Sequence, residues 1–333
     1  MRVVVADPPA FTPPYDHALA SALARAGIDV ELVTSHFRFG RAAEPDGYRR
    51  RELFYPLSSR VFGRSPLRIP LKVLEHPLGL VRLAATAADV LHVQWVAVPE
   101  LDAWLLRHRA PLVLTAHDLL PRRTAARAGL WRRLFGRADA VVVHSERGRD
   151  TLAAFGVPAA KLRVIPHPVS PSGTDRSDDG RTVLALGVVR PYKQLEHARE
   201  AVARVPHARL RVAGDAHAFL PETEIDVALA ESTVAVFPYR AELDQSGALL
   251  RALGAGVPAV VYDVGGLPEP VRAFGAGRVV AADDVDGLAA AIRELLDDPD
   301  ALAAAREGAL RARAELTWDA AAEAHLALYR ELA

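Results

Sequence analysis

Short, almost uninterrupted runs of β-branched and other apolar residues recur along this chain, and helical spacing follows nearly every one. In the first half the predicted strands are residues 3–6, 30–34, 90–93, 112–115, 140–144 and 162–165, with helix-like segments at 17–26, 98–109 and 146–155. The second half repeats the pattern. Its strands are 183–186, 210–213, 234–238, 259–262 and 279–281, and its helices lie near 195–204, 247–255, 285–296 and 301–315. A strand with one wet face alternates polar and apolar residues, whereas one apolar throughout must be covered on both sides. The pattern therefore predicts an α/β protein with doubly wound parallel sheets.

A length of 333 residues suits two such domains. The polar, turn-rich segment 170–181 predicts the connection between an N-terminal domain at 1–169 and a C-terminal one at 182–316. Open parallel sheets bind ligands at their strand C-termini, so two such domains are expected to present those ends to a shared cleft.

Composition removes several chemistries. With zero cysteines, the chain has no disulfide scaffold, thiolate metal site or cysteine nucleophile. Its 12 histidines show no ligand spacing, so no metal site is expected. No run has the roughly 18 apolar residues of a membrane span, and no secretory signal is expected, which predicts a cytoplasmic protein. The net charge is zero, yet residues 1–170 hold 24 Lys/Arg against 15 Asp/Glu and residues 171–333 hold 17 against 26. Such antisymmetry suggests different partners for the two halves.

The common nucleotide fingerprints are missing. The first strand runs into Asp7-Pro8-Pro9-Ala10 rather than a Gly-x-Gly-x-x-Gly turn, and no Gly-x-x-x-x-Gly-Lys-Ser/Thr occurs. Two segments of the second half nevertheless suit an anion. The loop Gly187–Lys193 leaves a strand carrying Arg190 and Lys193, close to a helix start. Ser246 and Gly247 stand where another strand-end loop enters a helix, whose first N–H groups lack partners within the helix. Together they describe a diphosphate clamp. The plainer readings are two solvated cations and a serine that only caps its helix.

The ordered set LGVVRPYK, RVAGD, QSGALLRALGAGVPAVVYDVGGLPEPV and TWDAAAEAHLALY resembles the glycosyltransferases of family 4, and HALASALARAGIDVELVTS, DVLHVQW, LTAHDLLPR, ADAVVVHSERGRDTL and KLRVIPHPV continue the likeness through the first half. The resemblance implies a GT-B fold of two Rossmann-like domains, with a terminal helix at 317–333 packing back on the first. It assigns Arg190 and Lys193 to the leaving diphosphate of a nucleotide-sugar donor. Ser246 and Gly247 supply amides to the same group, and His117 lies near the donor sugar. Gly187, Gly265 and Gly266 shape the donor loops. Asp16 and His17 fall on the acceptor side, where Asp16 has helix capping as its alternative role. By resemblance the transfer is retaining and needs neither a metal nor another cofactor, and a donor phosphate oxygen takes the acceptor proton.

The chain also departs from the family pattern. Two glutamates expected eight positions apart are replaced by Leu243 and Arg251, and Glu242 is one residue off register. Only 18 residues separate Asp215 from Val234, where the family has a strand, a helix and a base-contacting loop. These departures keep open a catalytically weakened relative acting as a binding or scaffolding partner.

For the acceptor, basic residues mix with apolar ones twice. Residues 36–83 hold ten Lys/Arg against four Asp/Glu, interleaved with Phe37, Phe39, Phe54, Tyr55, Val61, Phe62 and Leu67. Arg122, Arg123, Arg127, Arg132, Arg133 and Arg137 follow, with Leu130, Trp131, Leu134 and Phe135 between them. This suits peripheral association with an anionic membrane surface, or a lipid-linked or phosphorylated acceptor. A solvated surface is the alternative. Nucleic acid is not expected as a partner, because no recognition module accompanies the charge.

Overall fold

In the computed structural model, which describes residues 1–38, 40–60, 68–120, 124–214, 220–240 and 244–333, every strand pairs in parallel with its neighbours. The chain forms two units, Met1–Ile165 with Trp318–Ala333, and Pro166–Thr317.

In unit 1, β1 (Arg2–Asp7), β2 (Asp29–Ser35), β3 (Arg49–Phe54), β4 (Val90–Val93), β5 (Leu112–Thr115), β6 (Ala140–Val143) and β7 (Leu162–Val164) form one sheet in the order β3-β2-β1-β4-β5-β6-β7. The order reverses direction between β1 and β4, the topological switch that opens a crevice beyond the strand ends. Its helices are α1 (Pro13–Arg25), α2 (Arg68–Ala84), α3 (Pro99–Leu105), α4 (Ala128–Arg137) and α5 (Glu146–Phe155). Val4, Leu91, Leu114 and Val141 pack into one buried cluster, and Val3, Val5, Val113 and Val142 pack into another. One sheet thus feeds two cores, as its unbroken apolar strands require.

Unit 2 is built from β8 (Thr182–Leu186), β9 (Arg209–Ala213), β10 (Val234–Phe237), β11 (Ala259–Tyr262) and β12 (Gly277–Val280), in the order β12-β11-β10-β8-β9. Helices α6 (Leu195–Ala203), α7 (Glu222–Ala230), α8 (Gly247–Gly254), α9 (Pro268–Phe274), α10 (Val285–Asp297) and α11 (Pro299–Glu315) surround it, and α12 (Trp318–Leu332) returns to unit 1. Val183, Ala235, Val260 and Phe237 are fully buried in its core. At roughly 1.5–3 kcal/mol for each large apolar side chain, such burial is the main term holding each sheet.

Two elements absent from the sequence-derived strands and helices, β3 and α2, were hidden for different reasons. Strand β3 reads RRRELF, an edge strand whose charged residues point to water and carry no apolar run. Helix α2 shows its apolar residues on both faces, which obscures its period. The short interval before Val234 does hold a helix, α7. The turn-rich segment 170–180 is tied to unit 2, because Asp178 accepts from Thr233, Arg176 and Arg306, and Arg176 also reaches the Ser232 carbonyl.

Candidate functional site

Gly187 directly follows β8 with φ +97°, a conformation glycine adopts freely. A Cβ added there would stand 2.6 Å from the Lys193 Nζ and 3.6 Å from the Cβ of Ala248 on α8. The ammonium and the first turn of α8 therefore meet over this one residue. Gly214 makes the approach possible from the other side: its N-terminal neighbour Ala213 accepts from the Gly187 N–H at 2.8 Å, and a Cβ on Gly214 would fall 2.1 Å from the Gly187 carbonyl oxygen.

Lys193 closes a one-turn 3₁₀ helix, Pro191–Lys193. Its ammonium donates to the Leu186 carbonyl at 3.1 Å and sits 5.2 Å from the Tyr239 ring centroid. Burial, helped by repulsion from Arg190, brings its pKa down to about 8. Arg190 is exposed at the start of that turn. The Arg240 N–H donates to the Tyr192 carbonyl at 2.9 Å, which joins the β10 loop to the same turn.

Ser246 is the N-cap of α8, its hydroxyl accepting from the Leu249 N–H at 3.3 Å, so the capping reading holds for its side chain. Gly247 opens the helix, and a Cβ there would meet nothing within 4 Å. Gly265 (φ +49°) and Gly266 adjoin this loop: the Gly266 N–H donates to the Asp244 carbonyl at 2.7 Å, and the Gln245 side chain donates to the Gly266 carbonyl at 3.0 Å. The structure thus brings together Gly187, Arg190, Lys193, Ser246 and Gly247, and joins Gly265 and Gly266 to them. Glu242 and Leu243 lie outside the described residues, as do Phe39, Val61, Phe62, Leu67, Arg122 and Arg123. Arg251, where the resemblance implies a glutamate, is ion-paired with Glu222 of α7.

In unit 1, His117 follows β5. The Ile165 carbonyl accepts from His144 Nδ1–H at 2.9 Å, which leaves His144 Nε2 to accept from His117 Nδ1–H at 3.2 Å. The other His117 nitrogen meets the Gln94 amide at 2.9 Å. Trp95 stacks on the His117 ring at 4.9 Å and Tyr15 meets its edge at 4.8 Å. His117 is therefore held by the side chains of Gln94, His144, Trp95 and Tyr15. Beneath it, His92 bonds Thr115 at 2.7 Å and Tyr329 of α12 at 2.6 Å.

Asp16 does not cap α1, since Thr12 holds that position. It is instead 1% exposed beside Asp7, which is fully buried. Burial raises both carboxyls; repulsion from Asp7 and a hydrogen bond with it raise Asp16 much further, whereas that bond and the Thr12 and Phe11 N–H groups pull Asp7 back down, so of the two Asp16 is the one that favours the proton. His17 points elsewhere, its Nδ1 bonding the Tyr48 hydroxyl at 2.9 Å. Sequence reasoning passed over Asp7, Gln94, His144 and Tyr239. The only signal for Asp7 was a carboxylate ending an otherwise apolar strand. Among the described residues, no cluster of histidines and carboxylates could hold a metal ion.

Residues 15–172 match the model of Glycosyltransferase Family 4, and residues 180–298 match that of Glycosyl transferases group 1. D-inositol 3-phosphate glycosyltransferase of Mycobacterium avium is 27% identical, over 92% of this chain and 86% of that protein. Among solved structures, sucrose-phosphate synthase from Thermosynechococcus elongatus superposes with a TM-score of 0.75 at 19% identity, covering 100% of this chain and 99% of that one. HepE of Anabaena, in complex with UDP and glucose, gives 0.73 at 16% identity with both chains fully covered.

Proposed function

Because the chain belongs to the family 4 and group 1 glycosyltransferases and has the GT-B fold, we propose that it moves a sugar from a nucleoside-diphosphate sugar to a hydroxyl acceptor with retention of configuration. One observation carries this reading: the Lys193 ammonium and the first turn of α8 converge on Gly187. That HepE was solved with UDP and glucose supports the donor class. When the glycosidic bond breaks, negative charge grows on the diphosphate. Arg190, Lys193 and the amides at Gly247 stabilise it there, and fixed donors act most strongly where charge develops. A donor phosphate oxygen takes the acceptor proton on the same face, and the reaction needs no metal. His117 lines the sugar, and Asp16 and His17 belong to the acceptor side.

Thermal-shift screening against a panel of nucleoside diphosphates and their sugars tests this. At least one is expected to raise the melting temperature, and to lose that effect in the Arg190→Ala/Lys193→Ala variant. No shift with any member of the panel would remove the donor reading. The Arg251–Glu222 pair favours a second reading, a relative with weakened catalysis that binds or scaffolds. Nucleotide binding without transfer or donor hydrolysis would select it.

The protein is further proposed to work at the inner face of an anionic membrane. Helix α2 exposes Ile69, Val73, Leu74, Leu78 and Val81, of which Leu74, Leu78 and Val81 share one flank, and this apolar surface supports the reading. Among the described residues, no helix is long and apolar enough to cross a membrane.

A further inference from the structure

The loop that follows β1 closes on one carboxylate. Residues 8–14 read PPAFTPP, and proline has no N–H, so only Ala10, Phe11 and Thr12 can donate from its backbone. All three end on Asp7. The Ala10 N–H donates to the Asp7 carbonyl at 3.1 Å, the Thr12 N–H reaches its Oδ2 at 3.2 Å, and the Phe11 N–H also bonds its carboxylate. Ala10 is left-handed at φ +53°, a strained position that persists only where its surroundings impose it.

Asp16, in the first turn of α1, hydrogen-bonds the same carboxylate, and its own N–H donates to the Thr12 carbonyl at 3.0 Å. Oδ1 of Asp7 and Oδ1 of Asp16 are both buried, with no N–H or O–H donor against them. Two carboxylates so placed repel one another, whereas one proton between them turns the repulsion into a hydrogen bond. Burial penalises charge on both, but the loop N–H groups and Lys72 of α2 favour the charged form of Asp7, which leaves the proton to Asp16. Also near the pair are Tyr15, Tyr48 and Tyr55, and His17, Arg50 and Glu52 line the hollow beside Asp16.

This loop carries the surroundings of His117. Thr12 accepts from the Trp95 Nε1–H at 2.8 Å, Phe11 meets Trp95 edge-on at 5.4 Å, and Tyr15 directly precedes Asp16. Trp95 and Tyr15 are the two rings that stack on and abut His117. We propose that Asp16 is a positioning residue for His117: its carboxylic acid donates to Asp7 and locks the loop that places Trp95 and Tyr15. The role of His117 in transfer rests on the transferase reading, but the lock itself does not.

The full chain is compared with Asp16→Asn, whose amide can donate to Asp7 but cannot ionise, and with Asp16→Ala. At neutral pH, infrared difference spectroscopy should show a carboxylic acid C=O band in the wild type that Asp16→Asn removes. Burial and the Asp7 charge hold the folded acid well above the ordinary 3.8, so wild-type stability is full below that pH and declines above it. Asp16→Asn escapes the decline. Its folding equilibrium constant relative to wild type should rise with pH, by up to tenfold per unit from about 4 upward. The His117 ring resonances, assigned with His117→Gln, should keep the ring-current shift of the stacked Trp95 in Asp16→Asn and lose it in Asp16→Ala. Absence of the acid band, or a stability gap to Asp16→Asn that is flat in pH, overturns the proposal. So does a His117 resonance that stays in place in Asp16→Ala. Should Asp16→Ala not fold, Thr12→Val removes the bond to Trp95 while keeping the acid pair, and an unmoved His117 resonance there is equally decisive. No nucleotide or acceptor enters these measurements, so a failed nucleotide panel with the lock intact removes the transferase reading alone.

Discussion

Lys193 is held by a carbonyl, an aromatic face and a glycine that leaves it room. Its charge is thereby placed before any ligand arrives. Lys193→Ala is expected to keep the fold and lower turnover by about 10²–10³, the loss typical when one fixed donor to developing charge is removed. A stopped or continuous transfer assay, with circular dichroism as control, measures it; wild-type turnover would take Lys193 out of the mechanism. Its pKa near 8 adds a direction. A diphosphate prefers the ammonium, so nucleotide affinity should weaken by up to tenfold per pH unit above about 8, and this slope should vanish in Lys193→Arg. Backbone strain lies next to it: Gln194, at φ +45°, is one of the non-glycine left-handed positions among the described residues, with Ala10, Tyr55 and Asp283. Gln194 directly follows Lys193, and its side chain donates to Asp283 at 2.7 Å.

At the scale of elements, what could be read from the chain follows from where each element sits. Central strands such as AVVV and VAVF are apolar throughout because helices cover both faces, and that signal survives in one dimension. Strand β3 is at an edge and needs only its last residue buried, so its arginines hide it. The two loops that meet at Gly187 were legible because each follows an apolar strand and precedes a helix. The pairing of Asp7 with Asp16 was not, because burial creates it and the sequence shows only two carboxylates nine positions apart. Helix α2 was illegible for a reason that carries a prediction. Leu80 and Leu83 face the core while Leu74 and Val81, 73% and 67% exposed, face outward. A contiguous exposed apolar patch marks an interaction surface, whereas apolar residues scattered singly do not. Leu74→Glu/Leu78→Glu is expected to leave the melting temperature within a few degrees of wild type and to cut sedimentation with anionic vesicles severalfold. Unchanged sedimentation would place the membrane surface elsewhere.

For the molecule as a whole, the decisive feature is that α12 completes unit 1 although unit 2 separates it from the rest of that unit in sequence. Its Ala322, His325 and Tyr329 are fully buried against the core that contains Val3, Val113 and Val142. Unit 1 therefore cannot finish its core until α12 has been added. The closure also contains a pH-sensitive group. His325 donates from Nδ1 to the Ala321 carbonyl at 2.7 Å, its Nε2 is buried without a partner, and burial lowers its pKa to about 4. His92, whose ring lies 5.3 Å away, is depressed further by burial and by His325. Below pH 6.5 the unfolded chain binds protons that the folded one refuses. Stability should be full above about pH 6.5 and fall as the pH drops to about 4, where the His325 contribution, roughly 3 kcal/mol, is exhausted. His167 in unit 2, also lowered to about 4 by burial, gives that unit a parallel trend. The variant His325→Leu separates the two. Chemical denaturation of unit 1, followed by hydrogen exchange of the α12 amides, should lose part of its pH dependence between 4 and 6.5 while unit 2 keeps its own. An unchanged slope for α12 would mean that the closing helix does not sense protons through this residue.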